Sequence, residues 1–438
     1  MDITHITSLL GGIALFLYGM QMMSSGLEAA AGNRMKGILE KLTANRLLGI
    51  LVGAVITAVI QSSSATTVMV VGFVNSGMMT LRQAVWIIMG ANIGTTITGQ
   101  LIALDVGVLA PLFAFIGVAM MVFLKKPQSH HFGSIIGGLG VLFIGMDMMS
   151  ASMAPLREMP GFVSLMTTFS NPVIGILAGA LFTAVIQSSS ASVGILQALA
   201  NSGVIGLPSA VYVLFGQNIG TCITAVLASI GTSRSAKRAT IIHLMFNIIG
   251  TVVCLTLFVL ADALFSPAIL GESASYLGIA ICHTVFNVIC TTLMLPAAGL
   301  LEKLVCRIVP DGKQPEAVCE LDERLLTTPS IALERCRVVT NEMADVAAVT
   351  LRDAAAALQN YTPELAQAVR EGESKTDHYE DILGTYLVKL SALKISENDS
   401  SEAAMLLKAL SDFERIGDHA LNILESAEEL KGKNLSLS

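Results

Sequence analysis

Thr57-Ala58-Val59-Ile60-Gln61-Ser62-Ser63-Ser64-Ala65 returns 126 residues later as Thr183-Ala184-Val185-Ile186-Gln187-Ser188-Ser189-Ser190-Ala191. The register holds on both sides without a gap. Gly49-Ile50-Leu51 falls on Gly175-Ile176-Leu177, and Asn75-Ser76-Gly77 falls on Asn201-Ser202-Gly203. Gly90 and Asn92-Ile93-Gly94-Thr95 fall on Gly216 and Asn218-Ile219-Gly220-Thr221. Self-similarity at one offset over this length marks an internal repeat. Each copy sets a Gln-Ser-Ser-Ser run in the middle of an apolar region, near 47–79 and near 173–205. Either half of such a region is only about a dozen residues, against roughly 20 needed to cross a bilayer. The pattern predicts two re-entrant hairpins, each a pair of half-helices with a polar tip. Irregular polar backbone is tolerated at membrane depth where it lines a cavity or is buried in protein.

The composition agrees with a membrane setting. Of 438 residues, 53% are hydrophobic and 13% charged, about half the charged share of a soluble domain. That is too little charge to clothe a water-soluble globule, and too much apolar content for a disordered chain. A soluble enzyme and a basic nucleic-acid binder are excluded on the same ground. Apolar segments long enough to cross lie near 6–27, 83–104, 107–124, 132–153, 208–230, 239–261 and 276–300. The first follows a segment without Lys or Arg, so it reads as a retained helix rather than a cleaved signal. Residues 1–310 hold 13 Lys/Arg and 9 Asp/Glu, whereas residues 311–438 hold 13 and 24. A slightly basic transmembrane domain, 1–310, is thus expected to precede a linker, 311–326, and an acidic soluble domain, 327–438. The seven cysteines, among them Cys319, form no Cys-x-x-Cys pair and read as reduced.

Seven crossings with the N-terminus outside place Arg34, Lys36, Lys41, Arg46, Arg82, Lys125, Lys126, Arg234, Lys237, Arg238, Lys303 and Arg307 inside, and only Arg157 outside. The acidic domain is then cytoplasmic. Each repeat, 6–124 and 132–250, contains three full crossings, and an odd number turns the second copy upside down. The segment 276–300 is an extra helix. The expected fold is an all-α polytopic membrane protein with inverted-topology repeats and two re-entrant hairpins, plus a soluble three-helix bundle.

Inverted repeats with interrupted helices place a binding site near the midplane between the halves. No Lys or Arg lies inside an expected span, so the site must use neutral groups. Ser62, Ser63, Ser64, Ser188, Ser189 and Ser190 offer hydroxyls, and Gln61 and Gln187 offer amides. The half-helix starting at each tip adds free N–H groups and a positive dipole end. This set suits an oxyanion, and its oxygens also suit Na⁺. A dianion without a basic neighbour is costly to desolvate, so co-bound Na⁺ is the simplest compensation. The segments Gly90 to Thr96 and Gly216 to Cys222 are expected to interrupt their helices, with Asn92, Thr95, Thr96, Asn218 and Thr221 as Na⁺ ligands. No nucleophile–base set points to an enzyme.

The duplicated Gln-Ser-Ser-Ser followed by a duplicated Gly-x-Asn-Ile-Gly-Thr resembles the sodium/phosphate cotransporter family, type II class, in its bacterial form, over roughly residues 6–300. The resemblance implies inorganic phosphate at the tips, Na⁺ as coupling ion and a bacterial inner membrane. His243-x-x-Phe246-Asn247 and His283-x-x-Phe286-Asn287 resemble a further element of that family. Some animal members carry an Asp directly after the His, where Val118 and Leu244 stand here.

The acidic domain shows three amphipathic helical stretches, near 328–359, 363–394 and 398–430, with breaks at Thr362-Pro363 and Ser396-Glu397. Glu373, Asp377 and Asp381 share one helix face, and Glu414 and Asp418 repeat the spacing. Glu414-Arg415-Ile416-Gly417-Asp418-His419-Ala420 resembles the PhoU-like domain. That resemblance implies a regulatory bundle whose acidic faces hold metal ions, with these five carboxylates as ligands. Expected partners are phosphate, Na⁺, the lipid bilayer, a second copy of the chain and a regulatory protein at the tail, and no nucleic acid. A transporter of another oxyanion, a channel and a phosphate sensor signalling through the tail are the competing readings.

Overall fold

Inside a bilayer the backbone has no water to bond, so an apolar chain must satisfy its own N–H and C=O groups. The chain does so with helices. A computed structural model describes residues 3–31, 45–104, 107–159, 161, 168–265, 271, 273–311, 321–393, 395–433 and 435. Among them there is no β-strand, only an isolated bridge between Gly206 and Ser273. Arg34, Lys36, Lys41, Cys319, the side chain of Arg157 and much of the expected linker lie outside the described residues. The chain divides into two compact units, Met1–Ala317 and Val318–Ser438.

The first unit contains α1 (Ile3–Ala31), α2 (Arg46–Ile60), α3 (Ser63–Asn75), α4 (Leu81–Ile102), α5 (Ala110–Phe123) and α6 (Pro127–Met153). It continues with α7 (Pro172–Ile186), α8 (Ser189–Asn201), α9 (Leu207–Gly220), α10 (Cys222–Ala228), α11 (Arg234–Phe265) and α12 (Tyr276–Ile308). The bounds of α2 and α3 reappear in α7 and α8 at an offset of 126. Both copies start alike. The Asn45 side chain accepts from Leu47 and Leu48 N–H at 3.0 and 3.3 Å, and Asn171 accepts from Val173 and Ile174 at 3.0 and 3.4 Å.

Among the described residues, six helices are long and apolar enough to cross: Ile3–Leu27, Leu81–Ile102, Gln128–Leu156, Leu207–Ala228, Arg234–Phe265 and Tyr276–Ile308. The seventh expected crossing, 107–124, differs. It is a 3₁₀ turn, Gly107–Leu109, followed by the 14 residues of α5. At 1.5 Å per residue α5 spans about 21 Å, less than a hydrocarbon core of roughly 30 Å.

The expected interruption at Gly90 to Thr96 is also corrected. α4 runs through it unbroken, and in the second copy α9 yields to α10 only at Thr221, which keeps helical dihedrals (φ −57°, ψ −28°). The glycines serve contact instead. A Cβ at Gly90 would stand 2.0 Å from the Ile50 carbonyl oxygen, and one at Gly94 would stand 2.4 Å from that of Ala54. Gly216 and Gly220 meet Ile176 and Ala180 in the same way, at 1.9 and 2.3 Å. Small residues that let backbones touch are the usual basis of helix association in lipid. α1 and α6 use the same device, through Gly19 and Gly145. Arg238 of α11, mostly buried, holds the end of α12: its guanidinium donates to the Val309 carbonyl at 2.8–2.9 Å and pairs with Asp311 at 2.6 Å.

The second unit packs α13 (Pro329–Gln359), α14 (Pro363–Ser391) and α15 (Glu397–Gly432) against one another. Thr362 and Ser396 cap α14 and α15 through their hydroxyls. Buried Val339, Met343, Leu383, Leu387, Leu410 and Leu424 supply its core.

Gly216→Val should drive a side chain into the α7 backbone and cost at least about 2 kcal/mol, the range of overpacked cores. A lowered thermal midpoint of the detergent-solubilised protein is the expected result, and an unchanged midpoint would contradict the contact.

Candidate functional site

Both Gln-Ser-Ser-Ser runs fold the same way. Gln61 ends α2 and Gln187 ends α7 in the left-handed region, at φ 58° and 57°. They are the only non-glycine residues with positive φ among the described residues. Such a conformation in a residue with a Cβ costs about 1–3 kcal/mol and marks positions where surroundings over-determine the backbone. Ser62 and Ser188 follow in extended conformation and cap the next helices, their hydroxyl oxygens accepting from Ala65 and Ala191 N–H at 3.1 and 3.2 Å. One step inside each tip a hydroxyl pair joins the two half-helices: Thr57 to Thr66 at 3.0 Å, and Thr183 to Ser192 at 2.7 Å.

The two tips touch. Ser63 Oγ and Ser189 Oγ lie 3.3 Å apart. Ser190 Oγ donates to the Gln61 carbonyl at 3.5 Å and lies 3.4 Å from the Thr98 hydroxyl of α4. Thr98 in turn donates to Gln61 Oε1 at 2.8 Å, while the Gln61 amide nitrogen donates to the Ala58 carbonyl. α3 and α8 therefore begin beside each other, and two helix N-termini share one region dense in neutral hydroxyls. This arrangement favours an anion. The copies differ in surroundings. Gln61, Ser63, Ser189 and Ser190 are buried, and Ser62, Ser64 and Ser188 half-buried, whereas Gln187 is exposed. An apolar cavity of about 360 Å³ lies beside the second tip, with Ile186, Ala191 and Ile195 in its wall.

The expected Na⁺ ligands are buried, and each bonds to its own helix. Asn92 donates to Ile88 O, Thr95 to Ala91 O and Thr96 to Ile93 O, at 2.8–2.9 Å. Thr221 donates to Gln217 O at 2.9 Å. Each threonine hydroxyl keeps acceptor lone pairs. Asn218 is more engaged: its amide donates to Leu214 O, and its Oδ1 lies 3.3 Å from His283 Nε2 and accepts from Asn287 at 3.5 Å. The first His-x-x-Phe-Asn element is placed nearby in the chain's contacts, with Asn247 donating to Cys222 Sγ at 3.3 Å. The described hydrogen bonds link none of the five to a Gln-Ser-Ser-Ser residue.

Sequence reasoning passed over Thr57, Thr66, Thr98, Thr183 and Ser192. Duplication was the signal for two pairs, Thr57 with Thr183 and Thr98 with Thr224. The second pair is not equivalent in three dimensions: Thr224 donates to Thr221 O within its own helix.

In the second unit, carboxylate oxygens of Glu373, Asp377 and Asp418 gather within 4.8 Å of one another. Glu414 lies beside Asp418. Asp381 stays outside the group of three. Burial first, then the charges of Asp377 and Asp418, push the Glu373 carboxyl above its usual range. Burial and then Asp418 do the same to Glu414.

The family model described as Na⁺/Pi-cotransporter matches residues 15–151 and 159–282, and that of the PhoU domain matches 340–427. The chain is 32% identical over 299 residues to the uncharacterized protein YqeW of Bacillus subtilis, covering 68% of this chain and 96% of that one. It is 25% identical over 418 residues to the putative inorganic phosphate export protein YjbB of Salmonella typhimurium, covering 94% and 76%. A shorter stretch of 105 residues is 39% identical to human sodium-dependent phosphate transport protein 2B, covering 23% and 15%. No solved structure matches.

The raised carboxyls give a pH dependence. A carboxyl whose folded pKa exceeds its unfolded value adds stability below the unfolded value and loses it as pH rises through the folded one. Glu414→Gln should therefore raise the unfolding temperature of the PhoU-matching unit at pH 7 and leave it unchanged near pH 3. Calorimetry of the full chain at the two pH values checks this, and a lowered transition at pH 7 would contradict it.

Proposed function

Because the chain belongs to the Na⁺/Pi-cotransporter family, we propose that it carries inorganic phosphate across the bacterial inner membrane with Na⁺ as coupling ion. The phosphate is held between the tips by Gln61, Ser62, Ser63, Ser64, Gln187, Ser188, Ser189 and Ser190. The observation that carries this reading is the 3.3 Å contact between Ser63 and Ser189, equivalent serines of the two copies. Hydroxyl donors and two helix N-termini converge there, and each donor strengthens against an ionised acceptor. Such a site does not neutralise a dianion by itself. Na⁺ at Asn92, Thr95, Thr96, Asn218 and Thr221 supplies the missing positive charge.

α2–α3 and α7–α8 are read as re-entrant hairpins of an inverted pair. Supporting this, each half-helix has 13 or 15 residues, too few to cross. With 107–123 counted as a short crossing, the N-terminus lies outside and the PhoU-like unit in the cytoplasm. Transport moves the tips between faces while the flanking helices act as scaffold. The names of the relatives include both export and sodium-dependent transport, and one neutral site can serve either direction. Gradients of phosphate and Na⁺ then set the sign of net flux. On the tail, Glu373, Asp377 and Asp418, with Glu414 beside them and Asp381 a turn away, are proposed to hold metal ions through which the tail regulates the transporter.

Labelled phosphate flux in proteoliposomes tests the reading. Ser63→Ala and Ser189→Ala should each lower phosphate transport by about tenfold or more, since one hydrogen bond to a charged group contributes roughly 1.5–3 kcal/mol. Replacing Na⁺ by K⁺ should abolish flux. Flux indifferent to Na⁺ would sink the coupling, and equal competition by sulfate would sink phosphate as the preferred substrate.

A further inference from the structure

We propose that Gln197 is a positioning residue for the phosphate site: it ties α8 to α4 and α12 and so sets the second tip against Thr98. Gln197 is fully buried in α8. Its amide nitrogen donates to two backbone carbonyls on two other helices, Gly99 of α4 at 3.1 Å and Tyr276 of α12 at 3.0 Å. Both N–H groups of the side chain are thereby used.

Packing does not require an amide here. The 126-residue offset places Val71 at the same position of α3, and that helix forms and is buried with valine. The glutamine also carries a cost, because its Oε1 is buried without a partner. An unpaired buried carbonyl costs free energy. A residue that burial alone would not favour, present in one copy only, points to a job that only the second copy performs.

The geometry says which job. Gln197 follows Ser190 by seven residues, about 10 Å along α8 and on nearly the same face. Gly99 directly follows Thr98, whose hydroxyl reaches Gln61 and Ser190. α8 is thus fastened to one short stretch of α4 at two points of its own length, Ser190 to Thr98 at the tip and Gln197 to Gly99 two turns further on. The neighbouring residue is tied as well: Ser150 of α6 donates to the Ala198 carbonyl at 3.2 Å, and its oxygen lies 3.3 Å from the Tyr276 hydroxyl. Without the two donors of Gln197, α8 is free to shift along α4, and Ser189 and Ser190 leave their places opposite Ser63 and Gln61. Gln197 itself does not touch the phosphate.

The test uses Gln197→Met in the full chain, a side chain of similar length without N–H donors. Hydrogen exchange of the purified protein, without phosphate, should show faster exchange over residues 191–201 than in the parent. In proteoliposomes the phosphate KM should rise about fivefold or more while the maximal rate changes less than twofold, as expected for two lost hydrogen bonds that position rather than react. The KM arm rests on the phosphate reading above, and the exchange arm does not. If the parent carries no phosphate, that reading fails while exchange still decides the brace. Unchanged exchange over 191–201 overturns the brace, as does a lowered maximal rate with unchanged KM. Gln197→Val, the residue of the first copy, repeats both measurements should the methionine variant fail to accumulate.

Discussion

Backbone pressed on backbone at glycine is the contact on which the membrane unit depends. Lipid chains are as apolar as the side chains facing them, so burial of apolar surface does little to hold helices together there, and close contact must do it. Gly53, Gly90 and Gly94 let α2 lie on α4, and Gly179, Gly216 and Gly220 let α7 lie on α9 with the same partners at the same offset. Each pair is a two-helix clamp with one permitted distance. The clamp holds α2 and α7 against α4 and α9, and so holds the ends where Gln61 and Gln187 turn into the left-handed region. The tips meet because the clamps behind them leave little freedom.

The shortage of charge explains what the tips are made of. Tips without Lys or Arg can present only dipoles, and the richest source of oriented dipoles is a helix start. Ser62 and Ser188 supply the capping oxygens, which leaves Ser63, Ser64, Ser189 and Ser190 at the first turn. The two starts are chemically the same and physically different. Gln61 is buried and bonded to Thr98, while Gln187 is exposed beside an apolar cavity. Single-copy glutamines deepen the difference: Gln197 and Gln217 both donate to main-chain carbonyls across helices, and Val71 and Ala91 stand at the matching positions. Two copies of similar sequence are thus seated in unequal surroundings.

Reading the chain alone succeeded where a local rule had a single outcome. Gln-Ser-Ser-Ser between two apolar dozens had to stop a helix, and both helices stop there. It failed at Gly90 to Thr96, where glycine has two uses. Glycine permits unwinding, and it permits contact; which one applies depends on whether another helix lies against it, and Ile50 and Ala54 do. The segment 107–124 came out shorter than expected for a related reason, since hydropathy counts apolar residues without seeing the 3₁₀ turn that shortens the helix. On the tail, spacing grouped Glu373, Asp377 and Asp381 on one face, but the gathering of three draws Asp418 from another helix in place of Asp381.

What the sequence determined by itself is everything that follows from periodicity and composition: a membrane-embedded helical unit, its duplication, the two polar stops and the acidic helical tail. Those are properties of neighbouring residues, and neighbours suffice to decide them. Only the tertiary structure decided that Ser63 meets Ser189, that Thr98 joins both tips and that Gln197 links three helices. These contacts join residues 37 to 126 positions apart. No local preference encodes them, because they exist only once the glycine clamps have set the distances between helices.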